Sequence, residues 1–527
     1  MLWFVSYSMT SALHVDSIIM MEELHLFHEG KYGLGYLWAP YWGNRTLVPR
    51  LLMMLDERFF HFSNNPLVVV SLVAQMLPTT VLIWTEWRVI RNEPRWLKVI
   101  LTVATVHLAF SSLQLETFLF GMDVLFTVGF LGAFASVVLF AMSTRDGKTL
   151  PWMSIAAFAC ALVCALSMGT GVFAGPVVVL VAIGLRARLR VIAVLVMVSA
   201  VYSTAYSVGY SNPGNSMGLA GALHHPLDAI RITALVLGGP ITNQSLQWGA
   251  ACGFAGLLLL IPATVRLLQG RASREESALT GISIFLALHA SGMAMARFTP
   301  QFVAGLGTVK MLGSHDFTAP FFFWGATLAL VLSRRGSLSL KSLALLPVAI
   351  VGYLTIHTVP SQFDMSMVWL KYHRTLDIAG AGMIMGATDP KVLFALYPDQ
   401  RALDYYRPYM QQNRLSFFAD DRASWIGRDL ESVFGHPVTN CKGAIDTRAP
   451  AGHAILRLEG FVEGPGAKFP LKREIVLTDA KGKINGLGNT LITYEKRGGL
   501  DFVAYADGAA VAAYVITPDS KACRFGE

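Results

Sequence analysis

The chain has 527 residues, of which 54% are hydrophobic and only 14% are charged. Soluble domains carry about 25% charged residues, and the mean hydropathy here is +0.50. Too little polar surface is present to cover the apolar side chains of a soluble multidomain enzyme, and disorder, collagen and a small disulfide scaffold are excluded as well. The composition therefore predicts an integral membrane protein.

Eleven membrane spans are predicted in residues 1–359. A helix needs about 20 apolar residues to cross a bilayer, and fewer where the membrane thins. The predicted spans, beginning with a shortened one, are Leu2–Leu13, Leu67–Trp87, Lys98–Leu113, Asp123–Met142, Pro151–Met168, Val172–Leu185, Arg190–Ser207, Trp248–Leu268, Ser277–Ala296, Thr318–Ser333 and Ser342–Thr358.

The distribution of basic residues predicts the orientation of these spans. Five short loops carry fifteen Arg and Lys residues, whereas the four short loops that alternate with them carry three. The positive-inside rule places the first set in the cytoplasm, together with the N-terminus. The large first loop, residues 15–65, and everything after Val359 then lie in the periplasm of a bacterial inner membrane. The net charge of +8 is explained by this topology, so no nucleic-acid partner is expected.

The last third of the chain is polar and is predicted to fold outside the membrane. Residues 360–440 are predicted to form a helical connector, because part of this segment has helical spacing and many aromatic residues. Residues 441–527 contain short alternating runs separated by Gly- and Asp-rich turns, which is typical of a small antiparallel β-sandwich. Cys441 and Cys523 bracket that domain on the oxidising side of the membrane, so we expect a disulfide between them.

Polar side chains that could form a site are concentrated in three outer loops. They are Asp16, Glu22, Glu23, Asn44, Arg45 and Arg50 in the first loop, Gln114, Glu116 and Asp123 in the second, and Arg297 and His315 in the third. A carboxylate at the mouth of a membrane cavity is a good proton acceptor, and arginine is suited to bind phosphate or carboxylate. A helix cap or a headgroup-level anchor would also explain Asp16, and interfacial salt bridges would explain the arginines.

Several chemistries have no sequence support. The chain lacks His-Glu-x-x-His, a phosphate loop ending in Gly-Lys-Ser, and Gly-x-Gly-x-x-Gly after a strand. No Asp-x-Asp pair occurs in the first loop, so we expect a site without metal or other cofactor, although Glu22-Glu23 keeps a divalent metal open.

Runs of residues in the outer loops resemble motifs of bacterial polytopic membrane proteins of the glycosyltransferase C superfamily. Asp16-Ser17 stands where that family has an acidic-Trp pair. A Leu-Trp-x-x-His-Asn-Glu-His-Arg-x-x-x-Pro-Arg-Leu run is matched by Leu37, Trp38, Arg45, Pro49, Arg50 and Leu51. A Gln-Trp-Glu-Asn-Phe-Leu-Trp-Gly run is matched by Gln114, Glu116, Phe118, Leu119 and Gly121. Weaker matches are Ser167-Met168, Gly171 and Pro176, and then Arg297, Ser314-His315-Asp316 and Pro320.

The chain departs from these motifs in two places. Tyr41-Trp42-Gly43-Asn44 replaces His-Asn-Glu-His, and His315-Asp316 replaces Arg-Tyr. These departures imply a different sugar or donor, or a loss of activity.

The resemblance implies an inverting membrane glycosyltransferase that uses a polyprenyl-phosphate-linked sugar donor, with a pentofuranose such as arabinofuranose as one candidate sugar. The acceptor would be a glycan or a surface protein on the periplasmic side. Asp16 would be the catalytic base, and Arg45, Arg50 or Arg297 would hold the departing lipid phosphate. The remaining substrate-binding residues would be Glu22, Glu23, Asn44, Gln114, Glu116 and His315. The C-terminal domain is similar in architecture to carbohydrate-binding modules, although it would serve equally well as a lid.

Two other functions stay open at this point. A transporter or flippase of a lipid-linked glycan is expected to carry charges near the bilayer midplane and to contain inverted repeats. Here the charges lie at the outer ends of the spans and no repeat is visible. A catalytically inactive scaffold would retain the fold and bind partner proteins through its C-terminal domain.

Overall fold

The computed structural model describes residues 2–41, 43–145, 147–210, 218–242, 246–296, 314–334, 346–438, 441–463, 472–491 and 499–525. In this part of the chain, six helices are long and apolar enough to cross a membrane: Asn65–Val89, Arg95–Leu119, Gly121–Ser143, Leu189–Ser207, Gln247–Leu268 and Arg274–Ala296. Shorter apolar helices are Pro151–Ala165, Gly169–Gly184 and Thr318–Leu332. All of them coincide with predicted spans, so the prediction of a mainly helical chain with helices apolar enough to cross a membrane is confirmed, whereas the number eleven is not.

The described α-helices are numbered in chain order. They are α1 Leu2–Ser8, α2 Val15–His28, α3 Gly35–Trp38, α4 Leu47–Phe60, α5 Asn65–Val89, α6 Arg95–Ala109, α7 Leu115–Leu119, α8 Val124–Ser143, α9 Pro151–Ala165, α10 Ala174–Gly184, α11 Leu189–Ser207, α12 Gly218–His224, α13 Pro226–Gly238, α14 Leu246–Leu268, α15 Arg274–Ala296, α16 Thr318–Leu332, α17 Leu346–Met385, α18 Pro390–Leu393, α19 Gln400–Gln412, α20 Asp421–Trp425 and α21 Leu430–Phe434. Short 3₁₀ turns lie at Ser112–Gln114, Gly121–Asp123, Gly169–Phe173, Ser314–Phe317 and Ser416–Phe418.

Helix α8 lies in the centre of the bundle. It carries no charged side chain, and most of its residues are buried against neighbouring helices. A Cβ atom at Gly132 would lie 2.7 Å from the carbonyl oxygen of Cys160 in α9. Small residues allow membrane helices to approach this closely, and Cys164 is fully buried in the same contact, which agrees with an inert packing role.

The basic loops gather at one end of the bundle. Arg145 follows α8, Arg186 follows α10 and Arg274 begins α15, and all three line one pocket. Arg266 and Arg334 lie 2.9 and 3.3 Å from the shared carboxylate of Glu276. This clustering is what the positive-inside pattern requires of loops on the same side of a membrane.

Helix α17 joins the membrane part to the C-terminal domain. It is 40 residues long, and the predicted domain boundary at residue 360 falls inside it. The helices α18 to α21 follow it within the segment that was predicted to be a helical connector.

The strands are also numbered in chain order. Two two-stranded ladders pair β1 Pro40–Tyr41 with β2 Asn44–Arg45, and β3 Thr144–Arg145 with β4 Lys148–Thr149. The C-terminal strands are β5 Gly443–Pro450, β6 Ile455–Val462, β7 Glu474–Thr478, β8 Ile484–Thr490, β9 Leu500–Asp507, β10 Ala512–Ile516 and β11 Ala522–Phe525.

The C-terminal strands form one curled antiparallel sheet. Its order is β11-β10-β7-β8-β9-β6-β5, so β5 and β11 are the outermost strands. A flat sheet of seven strands would separate its outermost strands by about 29 Å, yet a Cβ atom at Gly443 in β5 would lie 2.7 Å from the Phe525 ring in β11. The predicted disulfide is present near this contact and joins Cys441 to Cys523, with their Cα atoms 5.8 Å apart. The described strands thus form a half-barrel, and the second sheet of a sandwich is not among them.

Candidate functional site

A cavity of about 650 Å³ lies at the end of the bundle opposite the basic loops. The start of α8, the 3₁₀ turn before α10 and the end of α15 all contribute to its wall, while the other ends of these helices carry the basic residues. The start of α2, the hairpin β1–β2, helix α7 with Glu116, the end of α11 and the start of α12 also contribute to the described wall. Every one of these segments belongs to the outer side in the predicted topology.

Asp16 faces this cavity. It lies in the first turn of α2, it is exposed, and it lines the cavity wall. The hydroxyl group of Tyr41 donates a hydrogen bond to Asp16 Oδ1 at 2.9 Å. One carboxylate oxygen therefore has a fixed partner from the hairpin, which orients the carboxylate relative to the cavity.

The hairpin that carries Tyr41 is held in place by its second strand. Asn44 Oδ1 accepts a hydrogen bond from the backbone nitrogen of Gly169 at 2.6 Å. Arg45 is buried, and its guanidinium donates to the carbonyl oxygens of Trp38, Tyr206 and Val208. The backbone nitrogen of Arg45 donates to the Tyr206 hydroxyl at 3.0 Å. Asn44 and Arg45 thus fasten the hairpin to the segments on either side of the cavity.

Two further carboxylates, those of Glu116 and Asp123, line the cavity with Asp16. His14 is the one basic side chain in the described wall. Its ring stacks on the Phe120 ring, with 4.2 Å between the ring centroids. Burial lowers the pKa of His14, and the nearby charges of Asp16 and Glu116 offset that effect only in part. His14 is therefore neutral at pH 7, and the described wall contains three acidic side chains but no Lys or Arg.

The remaining wall is aromatic and apolar. Its larger side chains are Phe120, Met122, Phe126, Met168, Phe173, Tyr206, Tyr210, Met293 and Met295. Aromatic rings offer flat surfaces to ligands, and methionine adapts to irregular apolar ones. The Thr170 hydroxyl also reaches the cavity and lies 2.6 Å from Nδ1 of the buried His289.

Several predicted site residues do not reach the cavity. Arg50 is buried and donates to the carbonyl oxygens of Tyr36 and Ala39 at 2.7 and 2.6 Å. Its remaining terminal nitrogen lies 3.1 Å from Glu23. The carboxylate of Glu22 lies beside the Tyr406 hydroxyl instead. These groups stabilise the first loop and its contact with the connector.

Gln114 has a structural position as well. Its side-chain nitrogen donates to the carbonyl oxygens of Leu108 and Ala109, and its oxygen accepts from the Thr318 hydroxyl at 2.7 Å. The glutamine joins the end of α6 to the start of α16. The polar atoms of the predicted substrate-binding residues Arg45, Arg50, Glu22, Glu23 and Gln114 are thus directed to the protein, and the structure does not bring them to the described cavity wall.

Two predicted residues cannot be placed. Arg297 lies outside the described residues, and so does the side chain of His315. Among the residues that are described, no group of three or more His, Cys, Asp or Glu side chains is arranged to hold a metal ion.

Three residues of the site were missed by the sequence analysis. Tyr41 lies where the chain departs from the family motif, so that departure was the one signal that could have identified it. Thr170 and Tyr206 lie at the ends of apolar segments, where a polar residue is ordinary. Their proximity to Asp16 and Asn44 depends on tertiary packing alone.

Comparison with known proteins gives no relative for this chain. No known protein family, curated protein or solved structure matches it at a significant level. Any assignment of function therefore rests on the geometry of the cavity and on the motif residues.

Proposed function

We propose that this protein is an inverting glycosyltransferase of the glycosyltransferase C type. It would move a sugar from a polyprenyl-phosphate donor to a hydroxyl group of a glycan or protein acceptor, on the periplasmic side of a bacterial inner membrane. The observation that carries this proposal is the Asp16 carboxylate, exposed in a cavity of about 650 Å³ and oriented by Tyr41. Sites for small molecules have volumes of about 300–1,000 Å³.

Asp16 is the proposed catalytic base. It takes the proton of the acceptor hydroxyl while the acceptor oxygen forms a bond to the anomeric carbon. The bond from that carbon to the phosphate oxygen breaks, and the electron pair leaves with the polyprenyl phosphate. Attack from the face opposite the phosphate inverts the anomeric centre. General base catalysis of this kind contributes about 10²–10⁴-fold to a rate.

The other parts of the cavity are assigned by chemistry. Glu116 and Asp123 offer acceptors for sugar hydroxyls, and the methionines and aromatic rings of the wall suit an isoprenoid chain. Arg297 remains the proposed ligand of the lipid phosphate, because it follows Ala296, the last wall residue of α15, in the sequence. Arabinofuranose stays one candidate for the sugar.

The finer features of the architecture belong to this proposal too. Eleven spans, a cytoplasmic N-terminus and a periplasmic C-terminal domain account for the basic loops at one end and the cavity at the other. A sandwich would require a second sheet in addition to the half-barrel.

The two alternative functions are less well supported by the site. A flippase needs a path for a headgroup through the midplane, whereas the described carboxylates of this cavity lie at helix ends. A catalytically inactive scaffold would not require a cavity with three carboxylates in its wall.

The test is transfer by the purified protein in lipid nanodiscs. The donors are farnesyl-phosphate-linked arabinofuranose, mannose and glucose, each with an oligosaccharide acceptor, and released farnesyl phosphate is measured by mass spectrometry. We expect turnover of one donor, and a loss of at least about 100-fold in Asp16→Asn. The matched control is Asp404→Asn, which removes an exposed carboxylate in α19 and should retain wild-type turnover.

Retained turnover in Asp16→Asn would refute the base assignment. No release of farnesyl phosphate, combined with movement of an intact fluorescent lipid-linked sugar across a proteoliposome membrane, would favour the flippase.

A further inference from the structure

The pocket at the opposite end of the bundle, here called the basic pocket, is independent of the proposed glycosyl transfer. Its volume is about 420 Å³, and its lining comes from the turn around Arg145, the turn around Arg186 and the loop that leads to Arg274. The three loops, residues 144–149, 184–190 and 270–276, contain seven Arg and Lys residues and three acidic residues. This excess of positive charge would favour an anion in the pocket.

Arg186 is held at the pocket by its own loop and by the next one. Its Nη2 atom donates to the carbonyl oxygen of Gln269 at 3.0 Å. A Cβ atom at Gly270 would lie 2.4 Å from Arg186 Nε, so a larger residue at this position would displace the guanidinium group. The fixed position reduces the entropy that the side chain would lose when it binds a ligand.

Arg186 and Arg274 share the described lining of the pocket with one acidic residue, Glu275. In the part of the chain that the structure describes, neither forms an ion pair with an acidic side chain, whereas the neighbouring Arg266 is paired with Glu276 at 2.9 Å. Both arginines line the pocket. Their charges are thus placed to act on a ligand there.

A like-charge pair borders the same pocket. Arg145 in β3 lies directly opposite Lys148 in β4. Both side chains add to the positive charge of the loops around the pocket.

The surface beside the pocket is apolar. Helix α9 begins there with exposed Trp152 and Ile155, and exposed Ile183 and Leu189 flank the turn around Arg186. On a protein that spans a membrane these side chains contact lipid, and tryptophan is enriched at the level of the headgroups. A ligand with an anionic head and apolar chains fits both surfaces, whereas free phosphate uses only the first.

We propose that the basic pocket binds the phosphate of an anionic phospholipid through Arg186 and Arg274, with the acyl chains along Trp152 and Leu189. In the proposed orientation this lipid belongs to the cytoplasmic leaflet. Basic pockets between membrane helices on that side are suited to such headgroups.

The experiment measures lipid binding to the full-length protein by native mass spectrometry after detergent purification. The probes are phosphatidylglycerol, phosphatidylcholine and inorganic phosphate. The variant is Arg186→Gln/Arg274→Gln. Its matched control is Arg91→Gln/Arg95→Gln, which removes two exposed arginines from another basic loop. Arg186→Lys/Arg274→Lys preserves the charge and guards against a folding defect.

We expect the wild type to retain phosphatidylglycerol in preference to phosphatidylcholine. The pocket variant should bind it about 10- to 30-fold more weakly, while the control and the lysine variant should stay within about threefold of the wild type. Equal losses of phosphatidylglycerol binding in the pocket variant and in the control would overturn the proposal, since any exposed arginine would then contribute to binding as much as those of the pocket. Displacement of the lipid by millimolar inorganic phosphate, with no preference between the two lipids, would overturn it in favour of a soluble anion.

Discussion

Replacing Asp377 with Asn is expected to loosen the C-terminal domain from the helix that carries it. Asp377 lies in α17 and is only 1% exposed. Its Oδ1 atom accepts from the Thr10 hydroxyl at 2.8 Å, and its Oδ2 atom lies 2.8 Å from Lys472 Nζ and 3.3 Å from Arg374. One carboxylate thus joins the N-terminal segment, the long helix and the C-terminal domain.

The size of the effect follows from the surrounding charges. Burial alone would raise the pKa of Asp377, but the charges of Lys472, Arg422 and Arg374 outweigh it and lower the pKa from 3.8 to about 2. This difference corresponds to about 2 kcal/mol of stability, present above pH 3.8 and lost as the pH falls through 2. Removing one partner of a buried ion pair costs about 3–5 kcal/mol, because the other charges are left uncompensated. We expect about 3 kcal/mol for Asp377→Asn.

Native-state proteolysis measures this opening. At low protease concentration, cleavage within the connector follows the population of the open form, and about 3 kcal/mol raises that population roughly 100-fold. Lys521→Met is the control, because Lys521 forms an exposed ion pair with Asp519 and such pairs contribute about 0–1 kcal/mol. The double variant Asp377→Asn/Lys472→Met should be less destabilised than the sum of its single variants. Equal cleavage rates for Asp377→Asn and Lys521→Met would refute the reasoning.

Three further predictions concern the first loop, the C-terminal domain and the cavity. Burial raises the pKa of Asp56 to about 6, so the folded state binds the proton of this carboxyl group more tightly than the unfolded state. Stability should therefore fall as the pH rises from about 4 to 6. Melting curves recorded across this pH range should show a smaller fall for Asp56→Asn, and equal slopes for the variant and the wild type would contradict the assignment. Serine at both Cys441 and Cys523 should destabilise the C-terminal domain by about 4 kcal/mol, and a reductant should then no longer lower its melting temperature; a further decrease would show that another thiol is responsible. Arg45→Gln should cost about 3 kcal/mol of stability through lost hydrogen bonds to carbonyl oxygens, with little change in the KM for the donor. Arg297→Gln should raise the KM for the donor without lowering the melting temperature. The reverse pattern would show that Arg45 contacts the substrate.

The membrane helices could be predicted because hydropathy acts over whole segments and does not depend on tertiary detail. Six of the predicted spans reappear as long apolar helices, and the basic loops gather at one end as the charge pattern required. The disulfide could be predicted because Cys441 and Cys523 are the only cysteines in the polar part of the chain.

The roles of the arginines could not be predicted from their motif. A guanidinium group binds a carbonyl oxygen and a phosphate oxygen with the same donors, and only tertiary structure decides between them. In the fold, the donors of Arg45 and Arg50 are used by the loop. Arg45 and Arg50 therefore hold the loop together, although the same set of motif residues also contains Glu116, which lines the cavity. Asp16 differs because its carboxylate faces the cavity.

The sandwich was predicted from the alternation of apolar and polar residues along the strands. This alternation is the same in the strands of a sandwich and in those of a barrel. What separates these architectures is the order of the strands, and no local pattern reports it. The approach of β5 to β11 requires a curled sheet, and the disulfide next to that approach stabilises the curl.

The C-terminal domain and the cavity are mechanically connected through α17. His373 lies one turn before Asp377 and its ring stacks on Phe120 at 5.4 Å between centroids, and Phe120 in turn stacks on His14 in the cavity wall. Loss of the Asp377 contacts should therefore disturb the cavity even if the domain never touches an acceptor, and truncation of the domain should reduce transfer for the same reason. A role of the domain in acceptor binding needs a separate test. A substitution on its exposed surface, such as Val511→Asp, must raise the KM for the acceptor while cleavage within the connector stays slow. If the KM for the acceptor and the rate of cleavage within the connector both rise, the domain is a supporting lid. Both quantities would then change for one reason, which is that the domain no longer docks on the helices.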